Sequence, residues 1–149
     1  MAMIGAARGA GGARDILFGD LTERDWQRIL PMVQRLRFEP GTLLVEQGAD
    51  DAAFYILTEG SVAVLAGASP ETEISRIEAP SVFGEVAFFD AAPRSASVRA
   101  LTEGSAIRVT RDAFLALSDW EPRIAQSMLM DLGRALAGRL RETTQSALR

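Results

Sequence analysis

Hydrophobic and polar residues follow a helical pattern near the start of the chain. Between residues 20 and 37 the apolar positions repeat at the spacing of one helix face: Trp26, Ile29, Leu30 and Val33. Thr22 and Asp25, three residues apart, approximate a capping box, which predicts the start of a helix. Pro31 lacks a backbone N–H, so we expect a boundary near Leu30.

Between residues 36 and 109 the pattern changes to short apolar segments separated by Gly, Pro and Asp residues. Such segments with frequent turn signals are typical of an all-β sandwich or barrel. The predicted strands are Leu36–Phe38, Thr42–Glu46, Ala53–Thr58, Ser61–Ala66, Glu73–Ile77, Arg94–Leu101 and Ala106–Val109.

The helical period returns from Thr110, which is placed to cap a short helix. Ser118, with Glu121 three residues later and Pro122 in the first turn, predicts the start of a longer helix. Apolar residues recur along that helix every four residues: Ile124, Met128, Leu132, Leu136 and Leu140. The three patterns together predict a mainly β fold (α+β) with an N-terminal helix and C-terminal helices.

The length of 149 residues suits one domain with a hydrophobic core. We predict a flexible tail over residues 1–14, which are rich in Gly and Ala and show no periodicity. The single domain then covers residues 15–149, with a barrel over about 36–109 and C-terminal helices over about 111–145.

The composition excludes several classes of function. The chain has no histidine and no cysteine, which removes the usual zinc, haem and iron–sulfur ligands and Ser-His-Asp catalysis. No pair of carboxylates stands at a spacing typical of acid–base chemistry, so we predict no catalytic residue, no metal and no cofactor.

The charge and hydropathy of the chain limit its possible partners and its possible location. Its formal net charge of −4 argues against direct binding of nucleic acid. No apolar run is long enough to span a membrane, and the first residues lack the build of a secretion signal. With no cysteine available for disulfides, the expected location is cytoplasmic.

Candidate chemistry is concentrated in residues 82–100, VFGEVAFFDAAPRSASVRA. Gly84 allows close approach of the backbone, and the first amides of a one-turn helix after it are unpaired donors. Arg94 has the same strand parity as the small apolar residues that follow it, which predicts that its side chain points into the core. Because a buried guanidinium is unfavourable unless an anion meets it, we predict a phosphate between these amides and Arg94.

Phe83-Gly84-Glu85 and Pro93-Arg94-Ser95-Ala96 stand nine positions apart, counted from Glu85 to Arg94. Together they resemble the phosphate-binding cassette of the cyclic nucleotide-binding domain. That module is shared by the catabolite activator protein, cyclic-nucleotide-dependent kinase regulatory subunits and cyclic-nucleotide-gated channels. The resemblance extends over roughly residues 17–145 and implies an eight-stranded jelly-roll barrel.

The resemblance implies roles for the two charged residues of the cassette. Arg94 would clamp the exocyclic oxygens of the cyclic phosphate, to which its planar fork offers paired donors. Glu85 would accept a hydrogen bond from the ribose 2′-hydroxyl. The structural alternative for both residues is an ion pair between Arg94 and Glu85 inside the barrel mouth.

The remaining cassette residues have smaller implied roles. Gly84, Val86 and Ala87 would contribute backbone amides to the phosphate. Ser95 would donate its hydroxyl to the phosphate or reach toward the base, and Ala96 would keep space for the ligand.

The resemblance therefore implies a sensor that binds cAMP or cGMP and signals to an effector protein through movement of the C-terminal helix. That helix closes over the nucleotide in the family and often forms a dimer interface, here over residues 119–142. The competing hypothesis is a protein–protein interaction or dimerisation module that keeps the barrel but has lost its ligand.

Overall fold

The structure, a computed structural model, describes residues 18–67 and 71–148. In chain order the elements are helix α1 (Glu23–Ile29), a 3-10 turn (Leu30–Met32), strands β1 (Gln34–Phe38), β2 (Leu43–Val45), β3 (Ala53–Glu59), β4 (Ser61–Ala66), β5 (Thr72–Glu78) and β6 (Ser81–Phe83), helix α2 (Glu85–Asp90), strands β7 (Ser97–Ala100) and β8 (Gly104–Thr110), and helices α3 (Arg111–Trp120) and α4 (Pro122–Ala147). The tail predicted over residues 1–14 lies outside the described residues.

The strands form two four-stranded antiparallel sheets, in the orders β1-β8-β3-β6 and β2-β7-β4-β5. Strand β3 separates two cores, because successive side chains point to opposite faces. Phe54 and Ile56 pack in the core beneath the helices, while Tyr55 and Leu57 pack inside the barrel. This arrangement confirms the predicted mainly β fold, an eight-stranded jelly roll with flanking helices.

The capping box at the start of α1 is present as predicted. The Thr22 hydroxyl accepts a hydrogen bond from the Asp25 N–H at 3.1 Å, and the Asp25 carboxylate accepts one from the Thr22 N–H at 2.9 Å. The helix ends at Ile29, and Pro31 lies in the 3-10 turn that follows. Helical structure predicted as far as residue 37 is therefore wrong beyond this turn, because residues 34–38 pair with β8.

All seven predicted strand segments overlap strands of the structure, but one strand was missed. This is β6, which has three residues and pairs with β3 through contacts such as Tyr55↔Phe83. Three residues after Pro80 are too few to show an alternating pattern. Pairing with a neighbour distant in sequence makes this segment a strand.

The prediction of the C-terminal helices was correct except at one boundary. Thr110 caps α3 as predicted, but Ser118 lies inside that helix, which continues to Trp120. Helix α4 begins at Pro122, and Glu121 precedes it without a side-chain capping bond. Proline at the first helical position is favourable, because the N–H that it lacks would have no helical partner there.

The apolar stripe of α4 is buried only along its first half. Ile124, Met128 and Leu132 are fully buried, whereas Leu136 is half-buried and Leu140 is 66% exposed. The first turns of α4 are therefore part of the core. Its last turns extend along the surface, where polar contacts determine how they attach.

Asp131 is a buried carboxylate on the packed half of α4, with 8% of the residue exposed. Burial raises its pKa above the ordinary value and nearby Asp20 adds to the rise, while Arg134 and the Phe18 backbone N–H oppose it. A carboxyl group with a raised pKa in the folded state reduces stability at neutral pH. We therefore expect Asp131→Asn to raise the melting temperature by a few degrees at pH 7.

The pH dependence distinguishes this effect from altered packing. As the pH falls through the raised pKa, the carboxyl group of Asp131 becomes neutral. The stability of the wild-type protein then approaches that of Asp131→Asn. Thermal unfolding at pH 7 and near pH 4 measures the difference, with the exposed Asp119→Asn as the control. An equal gain at both pH values would contradict burial of charge as the cause.

Candidate functional site

Helix α2 starts from a glycine in a left-handed conformation. Gly84 has φ 78° and ψ 9°, which residues with a Cβ adopt only with strain. A Cβ at this position would lie 2.8 Å from Arg94 Nη1 and 3.2 Å from the carbonyl oxygen of Ala53. The glycine thus gives α2 its direction and lets the guanidinium lie against the backbone.

One face of α2 is anchored in the core beneath the helices. The Phe88 ring lies edge-on to Phe54 and Phe114, with centroids 5.0 and 5.3 Å away. Ala87 is also buried, whereas the Val86 side chain is 50% exposed. The side chain of Val86 therefore faces outward.

Arg94 is buried, with 5% of the residue exposed. Its Nη1 donates to the carbonyl oxygen of Gly84 at 2.8 Å, and its Nη2 donates to the carbonyl oxygen of Ala53 at 2.7 Å and to the Asp51 carboxylate at 3.1 Å. Within residues 18–67 and 71–148, its buried Nε has no hydrogen-bond partner. The predicted burial is correct, and no described residue accepts a hydrogen bond from Nε.

The predicted reason for this burial is wrong. Arg94 lies three residues before β7, which begins at Ser97, so strand parity does not orient its side chain. Instead, the backbone N–H of Arg94 donates to the carbonyl oxygen of Ala49, and the carbonyl oxygen of Arg94 accepts a hydrogen bond from the N–H of Gly48. Pairing with this loop, which precedes β3, places the guanidinium beside Gly84.

Glu85 is also buried, at 3% exposure, and its partner comes from the C-terminal helix. Arg139 Nη1 lies 2.5 Å from Glu85 Oε1, and Arg139 also donates to the carbonyl oxygen of Val82. The alternative prediction of an Arg94–Glu85 ion pair is wrong, because each of the two has a different partner. The start of α2 is thereby joined to the exposed half of α4.

Asp51 precedes β3 and contacts two arginines. Its carboxylate lies 3.1 Å from Arg94 Nη2 and 2.5 Å from Arg108 Nη2, and it accepts a hydrogen bond from the Tyr55 hydroxyl at 3.3 Å. Burial alone would raise the pKa of Asp51, but hydrogen bonds from Arg108 and Arg94 outweigh it and hold that pKa below the ordinary value. Asp51 is therefore ionised at neutral pH.

The last two predicted site residues follow Arg94 along the chain. Ser95 is exposed and Ala96 is half-buried. The structure thus brings Gly84, Glu85 and Arg94 together, while the Ser95 side chain faces solvent.

Sequence reasoning missed three charged residues that contact the site: Asp51, Arg108 and Arg139. Asp51 stands among turn residues, and nothing in its local pattern predicts an ion pair. Arg139 did leave a signal, because it falls seven residues after the buried Leu132, nearly two helical turns along the same face. An arginine on the buried face of a helix needs an anionic partner, because an unpaired buried guanidinium is unfavourable.

A family model for the cyclic nucleotide-binding domain matches residues 35–119, from β1 through α3. The chain belongs to the cyclic nucleotide-binding domain family. The matched range contains the cassette, so it confirms the resemblance inferred from Phe83-Gly84-Glu85 and Pro93-Arg94-Ser95-Ala96.

Similar proteins include regulators and kinase subunits. This cyclic nucleotide-binding domain is 32% identical over 116 residues to a CRP-like cAMP-activated global transcriptional regulator of Mycobacterium tuberculosis, covering 76% of this chain and 50% of that protein. It is 31% identical over 102 residues to a cAMP-dependent protein kinase regulatory subunit of Emericella nidulans, covering 68% and 24%. The crystal structure of a cyclic nucleotide-binding domain from Methylobacillus flagellatus matches the fold with a TM-score of 0.81 at 21% identity, covering 99% of this chain and 79% of that one.

The matched region is about half of the mycobacterial regulator and less than a third of a putative potassium channel protein from Rhodopseudomonas palustris. The domain is thus a part of those longer proteins. Among the described residues of this chain, no helix combines the length and the apolar character required to cross a bilayer.

Proposed function

We propose that this cyclic nucleotide-binding domain is a non-catalytic sensor that binds cAMP or cGMP and transmits the binding event through α4 to a partner protein. The observation that carries the proposal is the buried guanidinium of Arg94, 5% exposed, beside the left-handed turn at Gly84. Its Nε lacks a partner among the described residues. A buried cation with a free donor, next to unpaired amides, is a favourable place for a phosphate.

Each cassette residue has a role in this proposal. Arg94 and the backbone amides of Val86 and Ala87 hold the phosphate of the cyclic diester. Gly84 lets the ligand and the guanidinium approach the backbone. Ser95, whose side chain is exposed, donates its hydroxyl from the solvent side, and small Ala96 leaves room for the nucleotide. The names of the mycobacterial and Emericella relatives favour cAMP as the first ligand to test.

The proposed signal passes through the Glu85–Arg139 ion pair. Glu85 holds Arg139 through Oε1, so its second oxygen can accept a hydrogen bond from the ribose 2′-hydroxyl. The same carboxylate would then join the ligand to α4. A ligand that strengthens this link favours the docked position of the helix, which is the differential contact that a population shift requires.

Isothermal titration calorimetry with cAMP, cGMP and AMP tests the proposal. We expect saturable binding of at least one cyclic nucleotide; micromolar affinity would correspond to about −8 kcal/mol. AMP should bind more weakly, because its dianionic, open phosphate has a different shape and charge. No heat and no thermal shift with any of the three would refute the sensor and favour an interaction module without ligand.

Arg139→Met is expected to separate binding from signalling. The variant keeps Arg94 but leaves the buried Glu85 carboxylate without its countercharge beside the phosphate, so cAMP affinity should fall by about tenfold and remain measurable. Binding of cAMP should no longer slow hydrogen exchange in residues 136–147. Mass spectrometry of exchange measures this effect, with Arg141→Met, an exposed neighbour on α4, as the control. Equal slowing in wild type and Arg139→Met would contradict the proposed link.

A second candidate function, self-association through residues 119–142, is favoured by the apolar surface of α4. Leu129, Met130 and Leu140 are 39%, 56% and 66% exposed. Exposed leucines on a long helix are typical of helix–helix interfaces. Sedimentation equilibrium with and without cAMP tests this function, and a monomer at all concentrations would rule it out.

A further inference from the structure

Each oxygen of the Asp51 carboxylate contacts a different guanidinium. Oδ2 accepts a hydrogen bond from Arg94 Nη2 at 3.1 Å, and Oδ1 accepts one from Arg108 Nη2 at 2.5 Å. Arg108 lies on β8, outside the cassette, and makes the shorter of the two contacts. One carboxylate therefore lies between the arginine expected to bind phosphate and a second arginine without an assigned role.

Neighbouring strands fix the orientation of Arg108. Its Nε donates to the Tyr55 hydroxyl at 3.2 Å, and its Nη1 donates to the Gln34 side-chain oxygen at 2.9 Å. Tyr55 in turn donates to Asp51, and the guanidinium carbon of Arg94 lies 5.9 Å from the centre of its ring. Each nitrogen of Arg108 thus has a protein partner, so this side chain is directed at Asp51 rather than at a ligand.

The charges of this group do not cancel. Arg94 and Arg108 carry two positive charges and Asp51 carries one negative charge, which leaves a net charge of +1. The Glu85–Arg139 pair beside the cassette is neutral. Because the Arg94 side chain is only 4% exposed, water screens its charge poorly. Without Arg108, Asp51 would neutralise Arg94 and would also repel an approaching phosphate.

We propose that Arg108 is a positioning residue for phosphate binding, which holds the Asp51 carboxylate and so leaves the positive charge of Arg94 available to the anion. The inference rests on the proposed function, because it concerns the affinity of the same site. The pKa of Asp51 agrees with this role. Burial raises that pKa, but the hydrogen bonds from Arg108 and Arg94 lower it by more, and the contribution of Arg108 is the larger of the two.

A double-mutant cycle in the full 149-residue chain tests this role, with cAMP affinity measured by calorimetry. Arg108→Gln should weaken binding about tenfold, because Asp51 is then uncompensated beside the phosphate. Asp51→Asn should leave binding unchanged or strengthen it by up to about threefold, because Gly84 and Ala53 still hold Arg94. The double variant should bind within about threefold of wild type, and Arg108→Lys, which keeps the charge but not all three directed hydrogen bonds, should lose less affinity than Arg108→Gln.

This recovery separates positioning from simple support of the fold. If Arg108 only supported the fold, the double variant would bind no better than Arg108→Gln, and that result would overturn the inference. Unchanged affinity in Arg108→Gln would overturn it too. Should Arg108→Gln fail to fold, near-wild-type affinity of the double variant together with unchanged or stronger binding by Asp51→Asn supports the role, and a loss in either overturns it. Arg76→Gln, on the exposed strand β5, is the matched control. Failure of the proposed function itself is distinct, because wild type would then bind no cyclic nucleotide.

Discussion

Arg94→Ala is expected to weaken cAMP binding by at least ~100-fold, because a buried phosphate would lose its countercharge, a loss of about 3–5 kcal/mol. The side chain also donates to the carbonyl oxygens of Gly84 and Ala53, so these acceptors lose their partner. Calorimetry with cAMP measures the change in affinity. Thermal unfolding without ligand measures the separate effect on stability.

Arg99→Ala is the matched control for this prediction. Arg99 lies on β7, its side chain is 41% exposed, and it contacts Glu71 and Gly41 rather than the cassette. We expect its removal to change cAMP affinity by less than about twofold, as is usual for exposed charges. Arg94→Ala protein that folds and binds cAMP as tightly as wild type would refute the assigned phosphate clamp.

Gly84→Ala is expected to lower cAMP affinity by roughly 30-fold, because a displaced guanidinium loses its paired geometry with phosphate. The new Cβ would lie 2.8 Å from Arg94 Nη1, which has to move. The left-handed backbone of Gly84 adds strain of about 1–2 kcal/mol, so the variant should also unfold at a lower temperature.

Gly41→Ala separates the two causes. Gly41 has φ 89°, similar to Gly84, but a Cβ at that position would have no heavy atom within 4 Å. It should therefore destabilise the fold by the same strain and leave cAMP affinity unchanged. Equal loss of affinity in both variants would show that backbone strain, and not contact with Arg94, is responsible.

Local patterns along the chain predicted much of the fold. Thr22 and Asp25 form the capping box, and Thr110 caps α3, because these bonds join residues three positions apart. The seven strand segments also followed from alternation and turn residues. Burial of Arg94 was predicted as well, although from a strand parity that the structure does not have.

Contacts between distant residues decided what local patterns could not. Strand β6 exists because Phe83 pairs with Tyr55, and β7 starts late because Arg94 pairs with the loop at Gly48 and Ala49. Neither segment is long enough to reveal its partner by periodicity. The strand order in the two sheets has the same origin.

By itself, the sequence determined the class of fold, the N-terminal ends of α1 and α3 at Thr22 and Thr110, and the cassette of Gly84-Glu85 and Pro93-Arg94. The fold class follows from hydrophobic periodicity, the caps follow from hydrogen bonds within a few residues, and the cassette was recognised by its resemblance to the family. Only the tertiary structure decided which charges meet: Asp51 with Arg94 and Arg108, 43 and 57 positions away, and Glu85 with Arg139, 54 positions away. Periodicity can place one charged residue on a buried face, as for Arg139, but it does not identify the partner, because the two members of an ion pair approach only after the sheets and helices have packed.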